Sequence, residues 1–326
     1  MKQCVRTNHQ QPWPETQEAS FPRKSLPSHE SDDQSAFAKL RGREDAHVNE
    51  ITKLSHTILK GARLLSTNAK TGTSFDFPIG HTCVPTAICA VSCYALRPGS
   101  PLDWEKCVRA RVRNFLYVTQ TSPNEVAARL AHEFRRQTRR WKKTRGVRLD
   151  FLRINGTGDL LPALVSVLNI FAAANPSVKL WIVTRQFDLA ARINPLPNVF
   201  VQLSLDASTP SNLVETARAI VANNPRAYTS FLRTKADDDT QGAAIVFNEK
   251  RTKGLPYFRS TDCPVDAGRM PLNNVRGQGG DACAKCRKCF SENTLTRQRE
   301  VSVDAVRSTS VSPMTHRHLP VIEDNQ

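Results

Sequence analysis

The chain has 326 residues, with 46 Lys or Arg against 30 Asp or Glu, which gives a formal net charge of +16. It contains no run of about eighteen apolar residues and no signal-peptide pattern, so we expect a cytoplasmic protein with no membrane partner. Because that compartment is reducing, nine cysteines favour metal ligation over disulfides.

The two ends of the chain differ in composition from its middle. Residues 1–50 are rich in Pro, Gln, Ser and charge, and residues 291–326 are also polar, so we predict a disordered arm and a disordered tail. Between them we predict an α/β domain over 51–260 and a cysteine-rich metal-binding segment over 261–290.

A first group of cysteines has the spacing C-x5-C-x3-C, formed by Cys83, Cys89 and Cys93. Three thiolates leave one coordination position open. For zinc, an open position implies a catalytic water site; for a four-iron cluster, it leaves one iron free to bind a small molecule.

A strongly basic region follows. Residues 103–118 and 122–141 have helical spacing, and Ser122, Pro123 and Glu125 form a helix-start pattern. Residues 102–148 contain thirteen Lys or Arg and four acids. The basic helices over 103–145 either bind the phosphates of nucleic acid or form a solvated face that keeps the protein in solution.

From about residue 147, short β-branched segments alternate with helical ones. We predict strands over 147–154, 178–184, 199–205, 227–232 and 243–247, and helices over 160–174, 187–193 and 210–223. This alternation predicts parallel strands joined by right-handed crossovers, in an α/β sheet or barrel.

Polar residues follow several of these strands. The first is followed by Asn155-Gly156-Thr157-Gly158-Asp159, which is either a binding loop or a turn whose acid caps the next helix. Thr184 with Arg185, and Ser204 with Asp206, end two further strands. They either face a shared cavity or are ordinary hydrogen-bonded polar groups.

The second group of cysteines has the strict spacing C-x2-C-x2-C, formed by Cys283, Cys286 and Cys289. Cys263 supplies a fourth thiolate, unless it reaches the first group instead. Iron–sulfur clusters use this run, whereas structural zinc more often uses two separated C-x2-C pairs. Lys285, Arg287 and Lys288 lie among these cysteines and offset the charge of the thiolates.

Several of these motifs together resemble a phage and plasmid family called gene product eighty-eight. The resemblance covers about residues 64–290. It is carried by the run 65–72 (LSTNAKTG), by the first three cysteines with Tyr94 and Ala95, by Arg113-Asn114 and by the run 153–159 (RINGTGD). The layout more distantly resembles radical S-adenosylmethionine enzymes related to spore photoproduct lyase, whose usual spacing is C-x3-C-x2-C.

This resemblance implies a partial, TIM-like (β/α) barrel and two kinds of site. By the resemblance, Cys83, Cys89 and Cys93 would hold one 4Fe-4S cluster; by their spacing alone, Cys263, Cys283, Cys286 and Cys289 are the candidate ligands of a second. The resemblance also implies that the turn Gly156, Thr157, Gly158 and Asp159 binds S-adenosylmethionine, near Tyr94, since a Tyr also follows the third cluster cysteine in those enzymes. Arg185 and Ser204, at other strand ends, are weaker candidates for the same cofactor site. An electron donor would reduce the cluster, and cleavage of the cofactor would start radical chemistry.

Two functions therefore remain as hypotheses. One is an iron–sulfur, radical-type enzyme of a mobile element, whose unidentified substrate could be nucleic acid or a nucleotide. The other is a non-catalytic nucleic-acid-binding protein in which zinc, not iron, is held by the cysteines for shape.

Overall fold

The computed structural model describes most of the chain after residue 30. The described residues are 31–53, 63–68, 72–96, 100, 104–146, 149–240, 242–249, 255, 258, 261–266 and 282–309. No helix within these ranges is long and apolar enough to cross a bilayer.

Seven strands form one sheet. In chain order they are β1 Leu65–Asn68, β2 Gly72–Phe75, β3 Phe151–Ile154, β4 Lys179–Thr184, β5 Val199–Asp206, β6 Ala227–Arg233 and β7 Ile245–Asn248. Their order in the sheet is the same as their order in the chain. β1 and β2 are antiparallel, and every later neighbour pair is parallel. The predicted α/β class is therefore confirmed as a mostly parallel sheet, and the partial barrel stays a prediction.

The helices connect the strands. In chain order they are α1 Ser31–Thr52, α2 Ile79–Thr82, α3 Ala87–Ser92, α4 Glu105–Gln120, α5 Pro123–Arg145, α6 Pro162–Ala174, α7 Phe187–Ala190, α8 Ser211–Asn223, α9 Ala282–Cys286 and α10 Glu292–Thr309. A 3-10 turn, Lys288–Phe290, lies between the last two. The predicted start of α5 is confirmed, since the Ser122 hydroxyl accepts a hydrogen bond from the Glu125 amide.

The two faces of the sheet have different coverings, because side chains alternate along a strand. On β4, Leu180 and Ile182 point to a large core that includes α4, α5, α6 and α8. Trp181 and Val183 point to the opposite face, where the C-terminal cysteine region packs; we call this the inner face. Helices α4, α5, α6 and α8 therefore cover one face of the sheet, and the second cysteine region with the start of α10 covers part of the other.

The structure differs from the sequence-based expectation at both ends. Residues 31–52 form α1, and 292–309 form α10, within stretches predicted to be disordered. A few buried residues attach each helix: Leu40 and Ile51 on α1, and Leu295 on α10. The rest of the arm (1–30), the rest of the tail (310–326) and the glycine-rich run 277–281 lie outside the described residues.

Candidate functional site

The first cysteine group is held by two short helices after β2. Cys83 follows α2, Cys89 lies within α3, and Cys93 ends α3. The hydroxyl of Thr86 caps α3 by accepting a hydrogen bond from the Cys89 amide at 3.2 Å. All three residues are partly exposed, and none forms a disulfide. We call these three residues the first triad.

Hydrogen bonds attach the first triad to the edge of the sheet where the parallel strands end. Thr86 donates to the Asp206 carboxylate at the end of β5, at 2.5 Å. The Ile88 amide donates to Ser208 at 3.0 Å, and the Asp159 amide donates to the Thr82 hydroxyl at 2.7 Å. The carboxyl ends of β3 and β5 thus meet the first triad, at the edge that usually carries function in α/β proteins.

Charged groups surround the three thiols. Burial raises the pKa of the Cys83 thiol well above its usual range, and Asp159, Cys89 and Cys93 raise it further. Burial also raises the pKa of Cys89, whereas the Arg185 guanidinium lowers it. Because each thiol disfavours ionisation of its neighbours, a bound cation is what would allow all three to be thiolates.

Arg185 and Asp206 come together beside the first triad. Their ion pair is 2.8 Å long between a guanidinium nitrogen and a carboxylate oxygen, with Asp206 fully buried. Ser204, on the inner face of β5, is partly buried, and its hydroxyl lies 3.5 Å from that of Ser230 on β6. Of the strand-end residues selected from the sequence, Arg185 and Asp206 therefore lie at the site, and Ser204 lies further along the same strand.

The glycine-acid turn after β3 packs against the chain itself. A Cβ atom on Gly156 would lie 2.5 Å from an Asp76 carboxylate oxygen, and one on Gly158 would lie 2.5 Å from the Phe77 carbonyl oxygen. The Thr157 amide donates to Asp76 at 3.1 Å, and the Phe77 amide donates to the Thr157 carbonyl at 3.0 Å. The two glycines are thus required for contact with the segment that leaves β2.

Asp159 uses its carboxylate to join two strand ends. Its Oδ1 accepts hydrogen bonds from the Leu160 amide at 2.8 Å and the Thr184 hydroxyl at 2.5 Å, and its Oδ2 accepts one from the Arg185 amide at 3.1 Å. Burial raises its pKa to about 6, although these hydrogen bonds and the Arg185 charge oppose the shift. Asp159 does not cap the next helix, because α6 begins after Leu161 and receives no side-chain cap hydrogen bond. The binding-loop interpretation stays a prediction, with Asp159 placed beside the first triad.

Tyr94, directly after the first triad, has 46% of its surface exposed. It lies near Arg153 of β3, which was not among the site residues predicted from the sequence. Burial lowers the pKa of Arg153, but nearby ionisable groups, chiefly Tyr94 and Cys283, raise it by more, so its pKa lies above its usual value. Arg153 lies on the inner face, with its guanidinium 4.9 Å from the centre of the Trp181 ring. Arg153 is one of three charged residues in the run VRLDFLRI, so the local sequence does not distinguish it.

The second cysteine group lines one cavity on the inner face. Cys263, Cys283, Cys286 and Cys289 all border this cavity, together with Trp181 and residues of β7. Two backbone hydrogen bonds hold the segment 261–263 beside β7. The Cys263 amide donates to the Val246 carbonyl, and the Val246 amide donates to the Thr261 carbonyl. Cys263 therefore lies with the second group and not with the first.

Aromatic packing and basic side chains hold this cavity in place. The Phe290 ring stacks on Phe151 with centres 4.3 Å apart. Lys288 donates to the Asp262 carbonyl at 2.9 Å. Its pKa is lowered by burial and by Arg297, although Cys286, Cys289 and Cys263 oppose this shift. Lys288 thus lies beside three of the four thiols and can balance their charge. Arg287 also borders the cavity, and its guanidinium pairs with Asp150 at 2.5 Å.

The donor geometry bears on which metal could bind. Among the described residues, no three His, Cys, Asp or Glu side chains converge on a point that could hold a single ion. A four-iron cluster does not need such convergence, because each of its thiolates binds a different iron. Cysteine thiolates are ligands of both iron–sulfur clusters and zinc, so the choice between these metals stays a prediction.

Comparison with known proteins gives one family. No curated protein and no solved structure matches the chain. The family model described as gene product 88 matches residues 43–292, a range that includes both cysteine groups, the glycine-acid turn and the whole sheet. The chain therefore belongs to the gene product 88 family.

Proposed function

We propose that this protein is an iron–sulfur protein with two cluster sites, the first of which acts in radical S-adenosylmethionine chemistry. The observation that carries the proposal is the division of the seven clustered cysteines. Three lie at the carboxyl edge of the sheet, and the other four line a separate cavity. Since Cys263 is on the second cavity, it leaves the first triad with an open coordination position.

The sheet supports a barrel-type enzyme. A partial (β/α) barrel has parallel strands whose spatial order follows the chain, which is the order of β2 to β7. In barrels the reacting groups lie at the carboxyl ends of the strands, where loops vary without disturbing the core. The first triad, Arg185 and Asp206 lie at that edge.

The chain's own groups have separate roles in this proposal. Cys83, Cys89 and Cys93 hold the first cluster, and the Arg185 guanidinium offsets the charge of the Cys89 thiolate. Thr86, through Asp206, fixes the loop that carries them. When bound, an open iron–sulfur cluster supplies a single electron to its S-adenosylmethionine ligand.

Asp159 acts in this proposal through Arg185. Its carboxylate accepts the Arg185 amide and so fixes the start of the segment whose guanidinium lies beside Cys89. The contact between Asp159 and the amino group of the cofactor, which the resemblance to radical enzymes implies, stays a prediction. Two other residues are candidates for contact with the cofactor. Tyr94 lies at the exposed side of the first triad, and Ser204 lies on the inner face of the sheet.

The experiment adds S-adenosylmethionine to protein that has been purified without oxygen and reduced, and follows the electron paramagnetic resonance spectrum. We expect the cofactor to change the cluster signal, because it binds the open iron. Asp159→Asn should weaken this response while the metal content is retained. Asp188→Asn, at an exposed position on α7, is the matched control and should respond as the unmodified protein does.

The second hypothesis, a zinc-stapled nucleic-acid-binding protein, predicts a different result. Zinc in place of iron, with no spectral response to the cofactor, would contradict the radical proposal. The four thiolates of the second cavity would then act as a structural metal site.

A further inference from the structure

The C-terminal half of α5 carries a dense group of exposed cations. Six side chains between residues 135 and 143 are exposed: Arg135, Arg136, Arg139, Arg140, Lys142 and Lys143. At 100° per residue, these positions fall within one side of the helix. We call this surface the α5 basic face.

The packing of α5 fixes the direction of this face. Phe134 and Trp141, on the opposite side of the helix, are buried in the main core. Gly146 ends the helix with a φ of 67°, and its amide donates to the Lys142 carbonyl. The basic face is therefore held outward by a rigid element and is not a mobile charged segment.

No acid within the described part of the chain neutralises the face. None of its six cations forms an ion pair with another described residue. The nearest acid on the helix, Glu133, is buried; it accepts the Leu64 amide and pairs with Arg129. The positive potential of the face thus remains directed at solvent.

We propose that the α5 basic face binds the phosphate backbone of duplex nucleic acid without reading its base sequence. Residues 135 to 143 span about 12 Å of helix axis. Over that length a DNA duplex presents about seven phosphate charges. Six outward cations over this length of helix match this charge density.

The chemistry of the surroundings favours a duplex over other polyanions. An interfacial helix buries an apolar side in the bilayer, but the apolar side of α5 is already buried in the core. Single strands are held by exposed aromatic side chains, and the large exposed hydrophobic side chains of the described residues, Val84, Tyr94, Trp104, Leu213 and Phe258, all lie outside α5.

The location of the face separates it from the first triad. The basic half of α5 leads into the beginning of β3, whereas the first triad lies where β3 and β5 end. A duplex on this face is therefore held at a distance from the cysteines. Duplex binding at this face needs no metal and is therefore independent of the proposed radical chemistry.

The test measures binding of the full chain to a fluorescent DNA duplex of random sequence, by anisotropy, over about 50 to 200 mM salt. The variant Arg135→Gln/Arg139→Gln/Lys142→Gln/Lys143→Gln removes four cations and keeps good helix formers. The control, Lys39→Gln/Lys53→Gln/Arg192→Gln/Arg218→Gln, removes four exposed cations from elsewhere and gives the same net charge.

We expect the unmodified chain to lose about a thousandfold in affinity across this salt range, as six phosphate contacts require. The α5 variant should bind at least about tenfold more weakly at low salt, with a salt slope reduced by about three to four. The control should bind as the unmodified chain does. Equal weakening in both variants, no duplex binding at low salt, or α5-dependent binding to anionic lipid vesicles but not to duplex would each overturn the inference.

Discussion

Asp159 links the ionisation of one residue to the stability of the site. Its pKa is raised by burial to about 6, from 3.8, so folding favours its neutral form. The contribution of neutral Asp159 to the free energy of unfolding is therefore complete below pH 3.8 and is lost as the pH rises from 3.8 towards about 6. This loss of folding stability amounts to at most about 3 kcal/mol.

We predict that the free energy of unfolding falls between pH 4 and pH 6 by more in the unmodified protein than in Asp159→Asn, which cannot ionise. Urea denaturation at several pH values, with the difference between the two proteins taken at each pH, isolates this group from the other acids. Parallel pH profiles would show that Asp159 does not titrate in this range.

Gly158 is constrained both by its backbone and by its surroundings. Its φ is 76°, and an added Cβ would meet the Phe77 carbonyl oxygen at 2.5 Å. We predict that Gly158→Ala destabilises the protein by at least about 3 kcal/mol.

Gly146→Ala is the matched control for this change. Gly146 also has a positive φ, of 67°, but no atom lies within 4 Å of its added Cβ. Gly146→Ala should therefore destabilise the protein only through backbone strain, by about 1 kcal/mol. Equal shifts in the denaturation midpoint for the two variants would show that Phe77 does not crowd Gly158.

Sequence reasoning at the residue scale identified the thiols through their spacing but not the groups that support them. C-x5-C-x3-C and C-x2-C-x2-C are visible locally, because their ligands are close in the chain. Arg153 interacts electrostatically with Cys283, and Glu44 with Cys83, although each pair is far apart in the chain. No local sequence pattern can show these interactions, since they depend on the pairing of strands and on the docking of α1.

At the scale of elements, α1 braces the loop that carries the first triad. The Glu44 carboxylate is fully buried and accepts the amides of Ile79 and Gly80, at 3.0 and 2.7 Å, at the start of α2. Arg111 of α4 lies 3.9 Å from it. One side chain thus joins α1, α2 and α4.

We predict that Glu44→Ala destabilises the protein by about 2 to 4 kcal/mol, because it leaves two buried amides without their acceptor and removes the carboxylate that faces the buried Arg111 guanidinium. Lys39→Ala, which truncates an exposed charged side chain on the same helix, should change stability by less than about 0.5 kcal/mol. Thermal denaturation of both variants is the measurement. A small effect of Glu44→Ala would mean that α1 does not brace this loop.

The success of sequence reasoning at this scale depended on how apolar each element is. The strands β3 to β7 were predicted because their β-branched and aromatic runs are bounded by Gly, Pro, Asn or charge. β1 (LSTN) and β2 (GTSF) were missed because neither has an apolar alternation. α1 was predicted to be disordered because only a few of its 22 residues, such as Leu40 and Ile51, are buried hydrophobic ones.

For the whole molecule, the sheet separates three surfaces. The first triad lies at the edge where the parallel strands end, and the second cysteine cavity lies on the inner face. The α5 basic face lies on the helices that pack against the opposite face of the sheet. These three surfaces share no residue. Loss of metal from one cysteine group should accordingly leave the other group intact.

The most direct test of the two-site account is the iron and sulfide content of protein purified without oxygen, compared with two triple variants. About eight iron and eight sulfide per chain are expected for the unmodified protein. Cys83→Ser/Cys89→Ser/Cys93→Ser and Cys283→Ser/Cys286→Ser/Cys289→Ser should each retain about four of each. Zinc in place of iron, or complete loss of iron in either triple variant while the protein stays folded, would contradict two independent iron–sulfur sites.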